Sequence, residues 1–213
     1  MTVKTSAAGK MPCKSWSLQA ITTCPGSIGP DGELVPACQG CYATDGNYRF
    51  KNVIAVRTHN QQDWKRSGWV SDMIKAIGND PYFRWFDSGD CYTIRLAWKI
   101  MEVMIRTPKT QHWFPTRMHK FAKFHKVLCQ MDVLPNVVVR FSSDGIYGET
   151  VDSDHNSTIT EFPEHATATV CKAYSRGGKC GDCRACWDKS IQTIAYPQHG
   201  RKMARINIQL KAA

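Results

Sequence analysis

The chain has no apolar run approaching the roughly 20 residues that cross a bilayer as a helix, and Met1 to Lys10 holds no apolar stretch of the kind a secretion signal carries. Both absences argue against a membrane protein or a secreted disulfide scaffold, and they set a reducing cytoplasm as the expected location. Internal repeats, low-complexity tracts and linkers are also missing, so residues 1–213 are expected to form one domain. Acidic residues are scarce, 18 against 28 Lys plus Arg, for a formal charge of +10. The basic residues form no dense block. The surplus therefore suits either a solvated basic surface or an anionic partner such as nucleic acid, a phosphorylated metabolite or an acidic redox protein. Hydrophobic residues reach 42% and aromatics 10%, too many for a disordered chain.

What the chain does have is cysteine. Seven of its ten cysteines fall into two groups: Cys24-Pro-Gly with Cys38-Gln-Gly-Cys41-Tyr-Ala, and Cys171 with Cys180-Gly-Asp-Cys183-Arg-Ala-Cys186-Trp. Two residues between successive cysteines suit no disulfide within the run, but they let a short loop aim its sulfurs at one inorganic centre. Zinc is the rival, since Cys-x2-Cys is also half of a zinc knuckle. Pairing Cys38/Cys41 with Cys180/Cys183 on zinc would leave Cys24 and Cys186 unexplained, so an iron–sulfur reading, with one or two [4Fe–4S] clusters, is preferred. The C-terminal four either hold an auxiliary cluster or complete the N-terminal one. Cys13, Cys91 and Cys129 read as structural, with Cys13 the best extra ligand of the three.

Strand-like runs at 15–20, 82–86, 111–115, 136–141, 166–171 and 193–196 alternate with helical periodicity at 63–77, 93–106 and 120–131. Such alternation predicts an α/β fold with a mostly parallel sheet. About six strands are too few to close an eight-stranded barrel, so the expected form is an open partial (β/α) barrel with a Cys-rich C-terminal segment, 166–190. The loops after the strands carry 24–41, 87–90, 117–119, 142–144 and 171–186, which predicts one active face at the strand ends. Asp87, Asp90 and Asp144 serve equally as turn and cap residues. Arg117 with His119 reads as an anion site or a solvated pair. Trp64, Trp69 and Trp98 read as core, and Trp16 and Trp187 as water shields beside the cysteines.

Cys38-x2-Cys41-Tyr42-Ala, in the loop after the first strand, resembles the cluster loop of the radical S-adenosylmethionine superfamily. The resemblance implies a partial barrel and a [4Fe–4S] cluster on Cys24, Cys38 and Cys41, with one iron open to S-adenosylmethionine. It implies as well that the turn Ser88-Gly89-Asp90 meets the cosubstrate's amino group, and that an electron donor is needed. The superfamily places three residues between its first two cysteines, whereas here thirteen separate Cys24 from Cys38. An inserted loop of that length either leaves the geometry intact or covers the open position. More narrowly, the chain is similar to a phage-encoded family of gene products from actinobacterial viruses. Met11-Pro-Cys, Trp16-Ser-Leu, Cys24-Pro-Gly, Cys-x2-Cys-Tyr-Ala, Arg84-Trp-Phe-Asp-Ser-Gly-Asp90 and Thr116-Arg117 carry that likeness. The two expectations are a radical enzyme acting on an unknown substrate, and an iron–sulfur electron carrier, redox sensor or nucleic-acid-associated protein that does not bind S-adenosylmethionine.

Overall fold

Short β-branched and aromatic runs, each followed by a helix or a long return, build one mixed α/β sheet. The computed structural model describes residues 2–7, 9–163, 167–200 and 202–203. Its strands are β1 (Ser6–Ala7), β2 (Lys14–Trp16), β3 (Tyr82–Trp85), β4 (Gln111–Thr116), β5 (Val137–Ser142), β6 (Asn156–Thr160), β7 (Thr169–Val170) and β8 (Thr193–Pro197). They lie in the order β1-β2-β3-β4-β5-β6-β8-β7, with every pairing parallel except β1 with β2. The sheet is open, with β1 and β7 at its edges. It therefore has eight strands rather than about six.

The two unforeseen strands show why. β1 is a two-residue edge. β6 reads Asn-Ser-Thr-Ile-Thr and is knitted to β5 by hydroxyls: the Ser142 and Ser157 Oγ atoms lie 2.9 Å apart, and Ser143 Oγ donates to Thr158 Oγ1 at 3.1 Å. A strand buried through hydrogen bonds carries little hydrophobic alternation. The predicted strand at 166–171 shrinks to β7, and its start, Ala166, lies outside the described residues.

The α-helices among the described residues include α1 (Pro36–Gln39), α2 (Lys51–Asp63), α3 (Trp69–Ile77), α4 (Ile94–Arg106) and α5 (Ala122–Asp132), with short 3-10 turns between elements. α4 begins where its capping chemistry dictates, with Thr93 Oγ1 accepting from the Leu96 N–H at 3.3 Å. The helix expected over 63–77 is instead the end of α2, a break, and α3. Arg66 folds back onto the Asp63 carboxylate with two hydrogen bonds, and Gly68 precedes α3. α2 left no hydrophobic stripe because its buried face is polar: Arg57, Asn60 and Asp63 recur at helical spacing. Asn60 Nδ2 donates to the Lys4 and Ser17 carbonyls, both at 3.0 Å.

Strand alternation divides the side chains between two faces. Trp16, Phe83, Trp85, Phe114, Val137 and Val139 join Trp69, Met73, Leu96, Ile100, Phe124 and Leu128 in the main core beneath the helices. Trp16 packs edge-on against Trp69, Trp85 and Phe86, so it belongs to this core and does not shield the cysteines. Trp98, expected inside, sits on the outer side of α4, 36% exposed. Tyr82, Arg84, Trp113 and Arg140 take the opposite face, which the C-terminal segment covers: Trp187 donates its indole N–H to Phe83 O and packs against Tyr82 and Trp113. No described helix is long and apolar enough to cross a membrane.

Candidate metal centre and its cavity

The thirteen residues between Cys24 and Cys38 form a small hairpin closed at its base. Val35 N donates to Ser27 O at 2.9 Å, Gly29 N to Glu33 O at 2.8 Å, and Ile28 bridges Leu34. A hairpin's two ends are neighbours whatever its length, so the insertion returns the chain to its starting point and sets Cys38 beside Cys24. Ser27 N on Cys24 O and Cys38 N on Val35 O continue the closure, at 2.9 and 2.8 Å. Between Cys24 and Cys38 only Ser27 and Ala37 line the adjoining cavity. Most of the insertion therefore lies outside the cavity lining.

That cavity has a volume of about 850 Å³ and opens at the carboxyl ends of the strands. Cys24, Cys38 and Cys41 line it, as do Cys171, Cys180 and Cys186. All six are free thiols. Among the described residues, no three His, Cys, Asp or Glu side chains meet closely enough to hold a single metal ion. Burial pushes the thiols of Cys24, Cys38 and Cys41 above their usual range, with the Asp90 charge adding to the effect at Cys24 and Arg117 opposing it at Cys38. As free side chains they are therefore protonated at neutral pH.

The walls are locked. Gly26 lies so close to Arg117 that a Cβ would stand 2.6 Å from its Cβ, and Gly40 likewise abuts Met203 at 2.6 Å. Gly89, at φ +77°, presses the β3 loop against Leu18 and Thr23, leaving no room for a side chain. Ile21 and Phe86 hold positive φ of 67° and 55°. Both line the cavity, and such strain in residues with large side chains persists only where the surroundings over-determine it.

A family model described as Gene product 88 matches residues 1–189 of this chain. The chain belongs to that family. The match agrees with the likeness to phage gene products, and it spans both cysteine groups. No curated protein and no solved structure matches.

Within this Gene product 88 chain, the three residues of the Ser88-Gly89-Asp90 turn all line the cavity, yet their polar groups are engaged. Ser88 Oγ donates to Leu18 O at 2.7 Å and accepts from Arg57 Nε. The Asp90 carboxylate accepts from Cys91 N at 2.7 Å, Thr116 Oγ1 at 2.8 Å and Arg117 N at 2.9 Å. Burial raises its pKa, and those three donors pull it back. Arg117 also reaches Ser143 O at 2.7 Å and pairs with Asp144, which Lys120 holds from the other side at 2.5 Å. His119 is stacked on Phe141, outside the cavity lining.

Sequence reasoning missed the polar cluster that α2 brings in. Asp87 ties Arg84 (3.2 Å) and Tyr48 (2.8 Å) together, with Arg57 3.8 Å away, while Arg84 also lies 4.4 Å over the Trp113 ring. Tyr42, beside Cys41, donates to Asp87 O at 2.8 Å. The signal was there in Arg84 and Asp87 of one recognised run, but Arg57 came from a helix without a hydrophobic stripe and Tyr48 from the turn before it.

The C-terminal cysteines follow β7, on a strand-end loop as expected, but that loop runs back over the sheet. Arg140, fully buried in mid-β5, draws their segment across the sheet face, donating to the carbonyls of Ala185, Cys186, Asp188 and Ile191 at 2.9–3.1 Å. Cys183 is exposed and lines no part of the cavity, Cys91 is buried among the helices, and Cys129 is exposed on α5.

Proposed function

We propose that this chain is an iron–sulfur protein built on a partial (β/α) barrel, with Cys24, Cys38 and Cys41 as ligands of a [4Fe–4S] cluster that faces the cavity. The observation that carries this reading is the hairpin. It cancels a thirteen-residue separation and leaves three soft donors beside one cavity. Zinc would require its thiolates ~2.3 Å from one centre. A cluster instead takes one thiolate per iron, so its ligands ring a volume rather than meet at a point. Three free thiols lining one cavity supply the ligand set that such a cluster takes.

The favoured activity is radical chemistry with S-adenosylmethionine on a substrate held in the cavity. Such a cluster, when bound and reduced, supplies an electron to the cosubstrate. The chain's own residues would do the rest: Arg117 offsets thiolate charge, the locked Gly89 turn gives the cosubstrate a backbone wall, and Arg84, Arg57 and Asp87 orient a polar substrate. One observation favours the electron-carrier, redox-sensor or nucleic-acid-associated reading, namely that the Asp90 carboxylate is already saturated by its own loops.

The test is anaerobic purification with iron, sulfide and zinc analysis, followed by electron paramagnetic resonance of the reduced protein with and without S-adenosylmethionine. The enzyme reading expects a changed signal and release of 5′-deoxyadenosine. An unchanged signal at saturating cosubstrate leaves the carrier reading. Stoichiometric zinc without sulfide overturns both.

A further inference from the structure

The spacing Cys180-x2-Cys183-x2-Cys186 singles out three neighbours as ligands of one centre. The fold divides them. Cys180 and Cys186 turn inward against Met11, Trp113 and Trp187, whereas Cys183 faces solvent. A cysteine from the far end of the chain packs against the same aromatic plate. Cys13 precedes β2 and stands two residues before Ser15, so alternation puts it on the face of Arg84 and Trp113, away from the helical core.

We propose that Cys13 joins Cys171, Cys180 and Cys186 as the four ligands of a second iron–sulfur centre, with Cys183 outside it. This rests on the reading that the chain's thiols bind iron–sulfur clusters, though not on the N-terminal group doing so.

Three hydrogen-bond contacts and one shared apolar cluster draw the set together. Cys180 N donates to Lys10 O at 2.8 Å, which pins Cys180 beside residues 10–13. Cys171 N donates to Ala195 O at 2.8 Å, and the hydroxyl of the next residue, Tyr196, lies 3.5 Å from Cys186 Sγ. Cys13, Cys180 and Cys186 pack against the one cluster of Met11, Trp113 and Trp187, and Cys171 lines the same cavity as Cys180 and Cys186. Arg84 stands on the same face, 3.4 Å from Met11 Sδ, and supplies positive charge beside what would become an anionic cluster. The surroundings are those a cluster uses to exclude water and set its potential: Trp113, Trp187, Tyr82 and Met11.

The consequence is mechanical as well as redox. Ligation would release the thiol protons to solvent and clasp residues 10–13 to the 171–186 segment, because ligand binding and local folding share one free energy. Without metal, that segment is held by Arg140, Trp187 and a few backbone hydrogen bonds.

The experiment measures iron and sulfide per chain, after anaerobic purification, in full-length protein whose N-terminal group is removed (Cys24→Ala, Cys38→Ala, Cys41→Ala). In that background Cys13→Ser and Cys180→Ser should each lose nearly all remaining iron and speed amide exchange across 171–186, while Cys183→Ser and Cys129→Ser keep both unchanged. Cys13→Val fills the same apolar slot without a ligand, so it should lose the iron too. Iron retained by Cys13→Val, iron lost by Cys183→Ser, or a Cys13–Cys180 disulfide in the anaerobic protein would each overturn the proposal. So would a triple variant free of iron. If instead wild type and triple variant carry equal iron that depends on Cys13, the N-terminal reading has failed and the second centre stands.

Discussion

The two faces of the sheet are built by different physics. Under the helices the side chains are apolar, fully buried and edge-packed, and a titratable group lodged among them, His112, is kept neutral. On the other face lie Arg84 and Arg140, held by charge-assisted hydrogen bonds, and both groups of cysteines contribute to the cavity beside them. The first face is a core that any sequence of similar volume and patterning would approximate. The second depends on particular atoms, and buried polar groups are costly unless every one is satisfied. Stability therefore resides mainly on the helical face, and chemistry on the other.

The sharpest test of that division is Phe114→Ala, which opens a cavity in the helical core. It should cost about 3–5 kcal/mol, read as a lower urea midpoint, with iron content per folded chain unchanged. A loss of iron equal to the loss of folded protein would still fit, whereas a selective loss of iron would erase the distinction between the faces.

Arg140→Met keeps volume but strands several buried carbonyls on the cavity face. We expect a loss of about 3 kcal/mol or less, smaller than a full core cavity. Unlike Phe114→Ala, the variant should expose 171–186 to limited proteolysis before the rest of the chain. Uniform digestion would show that the C-terminal segment is not a separately held unit.

His112 sharpens the comparison through pH. Burial lowers its pKa to about 3, and its neutral ring accepts from Trp85 Nε1 at 3.3 Å while its other nitrogen lies 2.8 Å from Thr107 Oγ1. The unfolded chain binds this proton near its ordinary pKa of 6.5, so the contribution is whole above that pH. It is lost as pH falls from there toward the folded value, by roughly 1.4 kcal/mol per unit. Urea midpoints between pH 7.5 and 5 should fall accordingly, and His112→Gln should flatten that slope.

The smallest effect is expected from Trp98→Ala on the exposed side of α4: within about 0.5 kcal/mol, against several for Trp85→Ala on the same face of the sheet. Equal losses would mean that the outer side of α4 is covered in solution.

Much of the helical face is legible in the amino-acid pattern. α4 and α5 and the six anticipated strands follow from apolar residues at periods of 3.6 and 2, since burial against a flat layer demands those repeats. α2 and β6 are not legible because they bury polar atoms: Arg57 and Asn60 spend their hydrogen bonds on loops, and Ser157 and Thr158 on β5. The cysteine groups are visible as groups, but their neighbours Arg84, Arg57 and Tyr48 come from separate elements and have no common spacing.

By itself, then, the sequence determined the parallel α/β layering, the helical core and the division of seven cysteines into two groups, because local periodicity and short spacings are properties of contiguous chain. Tertiary structure alone decided which cysteines meet. A hairpin brought Cys24 to Cys38 across thirteen residues, and the buried Arg140 and Trp187 carried Cys180 and Cys186 across the sheet to Cys13 while turning Cys183 to solvent. Such proximity arises from closing loops and satisfying buried donors at a distance, and no residue count along the chain records it.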